Sequence, residues 1–213
     1  MKNYYAHKTE EGERQLLKDH LTQTSDFAEK FACHFDAGKW GKEAGLVHDI
    51  GKYADVFQRR LEGSSQKYEH SVPGAMLIKN ICGVNYWPII YAVAGHHTGL
   101  PDGGYSTDMM DMGTLNAKLK RCEDLDEDYS AYKNEINIYE SLPKSFPDFA
   151  PGYQDSFSYS FFIRMIFSSL VDADFIDTER FMKNMLSVRN PGEPLDGLKR
   201  KLDKTLAIFP LAS

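Results

Sequence analysis

The sequence is poor in cysteine, carries no excess of positive charge and has no long uninterrupted hydrophobic run. Its three cysteines, Cys33, Cys82 and Cys122, are widely spaced and form no C-x-x-C pair, which argues against a disulfide framework or a zinc ribbon and fits a reducing, cytoplasmic setting. A formal charge of -6 excludes a protein that coats nucleic acid with a basic surface, so any nucleic-acid contact must be focal. The N-terminal "MKNYYAHKTEEGER" is polar, and the most hydrophobic stretch, "SFFIRMIFSSLVDADF", is short and carries Arg164, Asp172 and Asp174. A soluble, unexported chain with no membrane contact is therefore expected. Strand-type alternation, internal repeats and low-complexity tracts are also missing, which leaves an all-α fold.

What is present is helical periodicity. In residues 14–36, Leu16, Leu17, His20, Leu21, Phe27, Phe31 and Phe35 recur mostly at spacings of three and four, which predicts an amphipathic helix with His20 on or beside its buried face. A second helix is predicted at about 39–51, where Gly51 helps it end, and a short one over "YADVFQRRLEG". Further helices are expected from "HSVPGAMLIKNIC", with Pro73 in the first turn, and over "YWPIIYAVAGHH". Residues 101–156 read as a loop-rich insertion with two modest helices near 110–121 and 128–140, followed by a long helix at about 157–186 and a last one at about 195–208. At 213 residues the chain suits one domain, with a core over about 15–185.

The ionisable residues fall in an unusual place. "LVHDIGK" sets His48, Asp49 and Lys52 where an apolar helix should finish, and His96 with His97 close another apolar run. Unpaired ionisable groups there cost several kcal/mol unless they are coordinated or hydrogen-bonded. Together with His20, His70 and the late-helix aspartates Asp172, Asp174 and Asp177 they make a nitrogen-and-carboxylate set, which favours Mn, Fe, Co or Ni and admits Mg. Adjacent helical residues diverge by about 100°, so His48 and Asp49 serve one ion poorly from mid-helix, whereas a carboxylate bridging two ions with histidines on either side resolves the geometry. Two such ions would activate water and clamp a phosphate ester.

The order "HDIGK", "HSVPGA", "GHHTGLPD", "SLVDADFIDTE" resembles the HD nuclease domain of the CRISPR type I helicase-nuclease, within the HD phosphohydrolase superfamily, over about residues 15–185. The resemblance implies a helical bundle in which His20, His48, Asp49 and a late aspartate hold one metal, while Asp49 is shared with a second held by His70, His96 and His97. Asp174 is preferred as the late aspartate because "ADF" matches the superfamily's Ala-Asp ending, and Asp172 is the runner-up. Lys52 would present a cation to the scissile phosphate, with Ser71 and Thr98 donating hydrogen bonds nearby. The implied activity is metal-dependent hydrolysis of single-stranded DNA, endonucleolytic and also exonucleolytic, in antiviral defence. The implied partners are a helicase module and an RNA-guided surveillance complex. The chain holds no G-x-x-x-x-G-K-[ST], so no helicase domain is present, and its ending at "AIFPLAS" suggests a domain excised from a longer protein rather than a separate subunit.

Two other functions remain open at this level: an HD phosphohydrolase acting on nucleotides or cyclic nucleotides, and a degenerate HD docking module, against which the full set of ligand-type residues speaks. The plainer readings give Asp177 to solvent or to a pair with Arg180 or Arg164. They leave His7 and His34 as structural and "EDLDEDYS" as a solvated loop.

Overall fold

The computed structural model describes residues 2–124, 127–139, 142–150, 155–183 and 193–207. Among them a two-stranded hairpin, β1 (Tyr5–Lys8) and β2 (Arg14–Leu16), precedes eight α-helices. These are α1 (Leu17–Ala32), α2 (Gly38–Val47), α3 (Asp55–Leu61), α4 (Ser71–Cys82), α5 (Trp87–Gly95), α6 (Leu115–Glu123), α7 (Ser156–Met182) and α8 (Leu195–Leu206). The fold is all-α as expected, the hairpin being its one sheet among the described residues. None of these helices is long and apolar enough to cross a membrane. The expected helix ends at 184–186 and 208 lie outside the described residues, as do 125–126, 140–141 and 151–154 of the insertion.

Two local expectations are corrected. Residues 14–16 are not helical: they pair antiparallel with β1, in the register His7 opposite Gln15 and Lys8 opposite Arg14, and α1 starts only at Leu17. Strands of four and three residues are too short to show a period of two. Of the helix expected at 128–140 the described residues form a 3-10 turn over Ser130–Asn134 followed by non-helical chain, in which Ile136 and Ile138 are buried and Asn137 is exposed. That alternation is a strand-like period, which wins over the weak helical spacing.

α7, 27 residues and so about 40 Å long, packs along α1 and α5 and touches α2, while α4 lies on α5 and α6. Leu17, Leu21, Val47, Ile50, Ile89, Ile90, Val93, Phe162, Ile166 and Leu170 fill the space between them and are all buried. Two close crossings bring the ionisable helix ends together. At Gly45 of α2 a β-carbon would stand 2.5 Å from the Ser25 Cα of α1, and at Gly74 of α4 one would stand 1.9 Å from the Val47 carbonyl of α2. Backbones this near admit only glycine, and their approach sets His20 against His48 and brings the start of α4, beside His70, against the end of α2.

Because the clash at Gly74 is with backbone, Gly74→Ala must separate α4 from α2. It is expected to cost about 1–3 kcal/mol or more, read as a lowered urea midpoint with an unchanged m-value.

Candidate metal centre

Seven ligand-type side chains arrive from five segments. His20 lies in the first turn of α1, His48 closes α2, His70 opens α4, His96 closes α5 and Asp174 projects from α7. Asp49 has left the helix: with φ -114° and ψ 19° it sits at the corner between α2 and the 3-10 turn Ile50–Tyr53. The corner frees its carboxylate from the direction that a continuing helix would impose. His20, His48, Asp49 and His96 are buried, while His97, just after His96, is exposed and gives the cluster its open side.

Asp49 is divided between two groups. Its Oδ2 lies 3.3 Å from His20 Nε2 and 3.4 Å from His48 Nε2, and its Oδ1 lies 3.5 Å from both His70 Nε2 and His96 Nε2. Asp174 Oδ1 joins the first group, 3.4 Å from His20 Nε2 and 3.6 Å from His48 Nε2. Two sets, His20–His48–Asp49 and Asp49–His70–His96–His97, each bring their ligand atoms within 4.8 Å of one another, as does His48–His96–Asp174. Ligand atoms about 2.1 Å from one ion stand roughly 3.0–3.4 Å apart, close to the separations seen.

The hydrogen bonding is that of a site prepared for metal. His48 Nδ1 donates to the Gly45 carbonyl at 2.8 Å, His96 Nδ1 to the Val93 carbonyl at 2.7 Å, and His20 Nδ1 to Asp177 Oδ2 at 2.7 Å. A carbonyl or carboxylate only accepts, so each Nδ1 carries a proton and each Nε2 faces the cluster, where it offers a lone pair once the ring is neutral. His96 Nε2 and both Asp49 oxygens, all buried, receive no well-directed hydrogen bond. Buried polar atoms in that condition cost stability unless a further ligand satisfies them. The donor set of imidazoles and carboxylates is compatible with a divalent ion.

Electrostatics agrees. Burial lowers the His70 pKa to about 3 against the raising pull of Asp49, and at His97, whose residue keeps an exposed edge, partial desolvation of the ring together with neighbouring His96 lowers it to about 4, so both rings are neutral and able to ligate. At His48 burial also opposes the charge, but the Asp49 and Asp174 carboxylates override it and raise the pKa to about 10. Both carboxyls are held below their ordinary range: burial would raise them, and it is overcome at Asp49 by Lys52 and His48 and at Asp174 by His48. A proton on His48 thus supplies positive charge that the two carboxylates demand.

The remaining expected residues fall out as follows. Lys52 is buried with Nζ 2.6 Å from Asp49 Oδ2, so its cation sits on the shared carboxylate. Ser71 is buried in the first turn of α4, beside His70. Thr98 Oγ1 accepts from Lys118 Nζ at 3.1 Å, which leaves its own proton to donate, and Lys118 also donates to the Ala94 carbonyl. Asp172 is exposed and outside the cluster, which leaves Asp174 as the late aspartate beside the histidines. His34 is exposed and outside the cluster.

Asp177 corrects the solvent-facing reading: it is 1% exposed and bound to His20. Its spacing of three from Asp174 put both on one helix face, a signal in the sequence that pointed there. His7 was likewise passed over. Its ring stands edge-on to His20 with centroids 4.8 Å apart, and short strands gave no hint of it.

An ion needs His48 neutral, whereas the raised pKa keeps it protonated at neutral pH, so metal uptake expels a proton. Raising pH removes that competing proton and tightens binding. Calorimetric Mn2+ titrations at pH 6.5, 7.5 and 8.5 should show affinity rising by up to about tenfold per unit, with proton release seen by varying the buffer. A pH-independent affinity would remove His48 from the set of protonated groups.

A search of curated proteins found no match to this chain. The HD domain family matches residues 17–133, a segment that includes His20, His48, Asp49, His70, His96 and His97. HD domains are typically metal-dependent phosphohydrolases, and the histidine–aspartate cluster is of the kind such hydrolysis requires. Since the match spans more than half of the sequence and contains the doublet His48–Asp49 with its neighbouring histidines, the chain belongs to the HD domain family.

Proposed function

We propose that the protein is a metal-dependent nuclease that hydrolyses phosphodiester bonds of single-stranded DNA, with His20, His48, Asp49 and Asp174 as one ligand set and Asp49, His70, His96 and His97 as the other. The observation that carries the metal-dependent reading is the Asp49 carboxylate, buried without a well-directed hydrogen bond and with one oxygen turned to each histidine group. The nuclease reading is supported by the four motifs "HDIGK", "HSVPGA", "GHHTGLPD" and "SLVDADFIDTE" in that order, and with it come the proposed helicase partner and RNA-guided delivery in antiviral defence.

A bound divalent ion, with Mn, Fe, Co or Ni favoured, supplies Lewis acidity at the phosphate and lowers the pKa of the attacking water. The chain's own groups prepare the ground for that chemistry. The Nδ1 hydrogen bonds of His20, His48 and His96 hold three rings with Nε2 inward, so little reorganisation remains when substrate arrives. Lys52 keeps a fixed ammonium beside Asp49, next to where negative charge grows on phosphoryl oxygens. His97, with half-buried His70 behind it, forms the accessible edge from which a strand approaches. Thr98, on the same edge, has a hydroxyl proton available for a phosphate oxygen. Exposed Arg59, Arg60 and Lys67, in the segment that leads to His70, offer backbone contacts on a chain of net charge -6, and affinity should fall with salt.

Circular single-stranded DNA, incubated with Mn, Co, Ni, Mg or EDTA, tests the reading, since a circle excludes attack from an end. Cutting should require a divalent ion and drop by about a thousandfold in Asp49→Ala, as expected where several kcal/mol of Lewis-acid stabilisation is lost. No cutting by metal-loaded, folded protein, combined with release of phosphate from nucleotides or ring opening of cyclic nucleotides to monophosphates, would refute the nuclease in favour of a nucleotide phosphohydrolase.

Lys52→Met separates charge stabilisation from metal binding. Without the ammonium on Asp49 the protein should hold Mn2+ at least as tightly as the wild type, while turnover falls about a hundredfold; unchanged turnover would deny Lys52 a part in the chemistry.

A further inference from the structure

Behind His20 the hydrogen bonding does not stop at Asp177. The same Oδ2 accepts a second bond from Gln15 Nε2 at 2.7 Å, and Gln15 Oε1 faces His7 Nδ1 at 2.8 Å. His7 Nε2 in turn stands 3.4 Å from Lys52 Nζ, and that ammonium lies 2.6 Å from Asp49 Oδ2. Since His20 Nε2 is 3.3 Å from the same Asp49 oxygen, the contacts close a ring: Asp49, Lys52, His7, Gln15, Asp177, His20. Two of its members, His7 and Gln15, are direct cross-strand partners in the hairpin.

The chemistry of each group fixes the sense of every bond. An ionised Asp177 can only accept, so the Gln15 amide must turn its NH2 to Asp177 and its oxygen to His7. The oxygen then requires a proton on His7 Nδ1, which leaves Nε2 as a lone pair. A lone pair there suits an ammonium and nothing else on the ring can meet it, while the Ala6 carbonyl, 3.4 Å from Nζ, gives Lys52 a second acceptor on β1. One amide orientation thus determines both the acceptor offered to Lys52 and the grip on the carboxylate that orients His20.

Attachment of the hairpin does not need these groups. Its outer residues hold it to α3 and the residue that follows: Lys8 and Arg14 pair with Glu62, and the Tyr5 amide bonds Gln58. An apolar residue in place of the buried Gln15 would pack there at lower desolvation cost, so the buried amide is better explained by what it orients.

We propose that the N-terminal hairpin is a working part of the metal centre, with Gln15 and His7 as positioning residues: Gln15 steadies Asp177 and hence His20, and His7 aims Lys52. The proposal rests on the metal-centre reading above. Nitrogen NMR of the histidine rings in the wild-type full chain under EDTA should find His7 as the Nδ1–H tautomer, and finding Nε2–H would overturn the ring whatever the variants do. Gln15→Leu removes both contacts, and Gln15→Glu keeps the acceptor for His7 while replacing the donor to Asp177 by a carboxylate oxygen. Both should bind Mn2+ about 10–100-fold more weakly than the wild type, with the thermal midpoint in EDTA little changed, a split that loss of packing alone would not give. If the wild type binds Mn2+ and the variants bind it equally well, the positioning role is wrong and the metal centre stands. If the wild type itself binds none, the metal centre fails and the proposal with it.

Discussion

A single buried carboxylate governs this molecule. Asp49 is fully desolvated and held in its ionised form, and a charge in that state must be surrounded by partners or it would neutralise itself. Lys52 sets an ammonium against one oxygen, and two imidazoles stand at each oxygen in the positions of ligands to a shared ion. His20, His48, His70 and His96 come from four different helix ends, so gathering them around one carboxylate dictates where α1, α2, α4 and α5 must meet. The two close crossings at Gly45 and Gly74 follow from that demand, since bulkier residues would hold the helix ends too far apart for imidazoles to reach one centre.

The same demand explains why the histidines sit at helix ends. An imidazole at a C-terminal end finds a carbonyl three residues back with no helical partner, and His48 and His96 both place Nδ1–H on such a carbonyl. The bond satisfies an orphan acceptor and fixes the tautomer in one step. His20, in the first turn of its helix, has no such carbonyl within reach and must borrow an acceptor from α7, which is Asp177. A charged second partner brings its own desolvation cost, and the Gln15 amide offsets it.

This difference decides how much of the site was legible in the sequence. His48–Asp49 and His96–His97 stood out because ionisable residues ended apolar runs, and the motif order tied His20, His70 and Asp174 to them. Those are local signals. Asp177 and Gln15 are 162 residues apart, and their pairing is made by tertiary packing that no local period encodes. His7 was hidden for a second reason: the hairpin that carries it is too short for alternation, so residues 14–16 were read as the start of a helix whose apolar spacing they happened to continue. In the same way the spacing of two between buried Ile136 and Ile138 departs from the helical period expected near 128–140. The fold class survived these errors because it rests on the long helices, whose periodicity is unmistakable, while the hairpin's contribution to the site did not.

Lys52 and the His48 proton now take on a common meaning. Two carboxylates, Asp49 and Asp174, stand beside the same His20 and His48 nitrogens, and their charges repel at that close approach. The chain answers with two cations of its own, one permanent on Lys52 and one titratable on His48. The titratable one can leave when a metal arrives, because imidazole is a good ligand once neutral; the permanent one has no such exit, and an ammonium is no ligand at all. Lys52 must therefore have acceptors besides Asp49 on which to rest when the carboxylate's charge is shared with an ion. β1 supplies them, in the Ala6 carbonyl and the His7 lone pair.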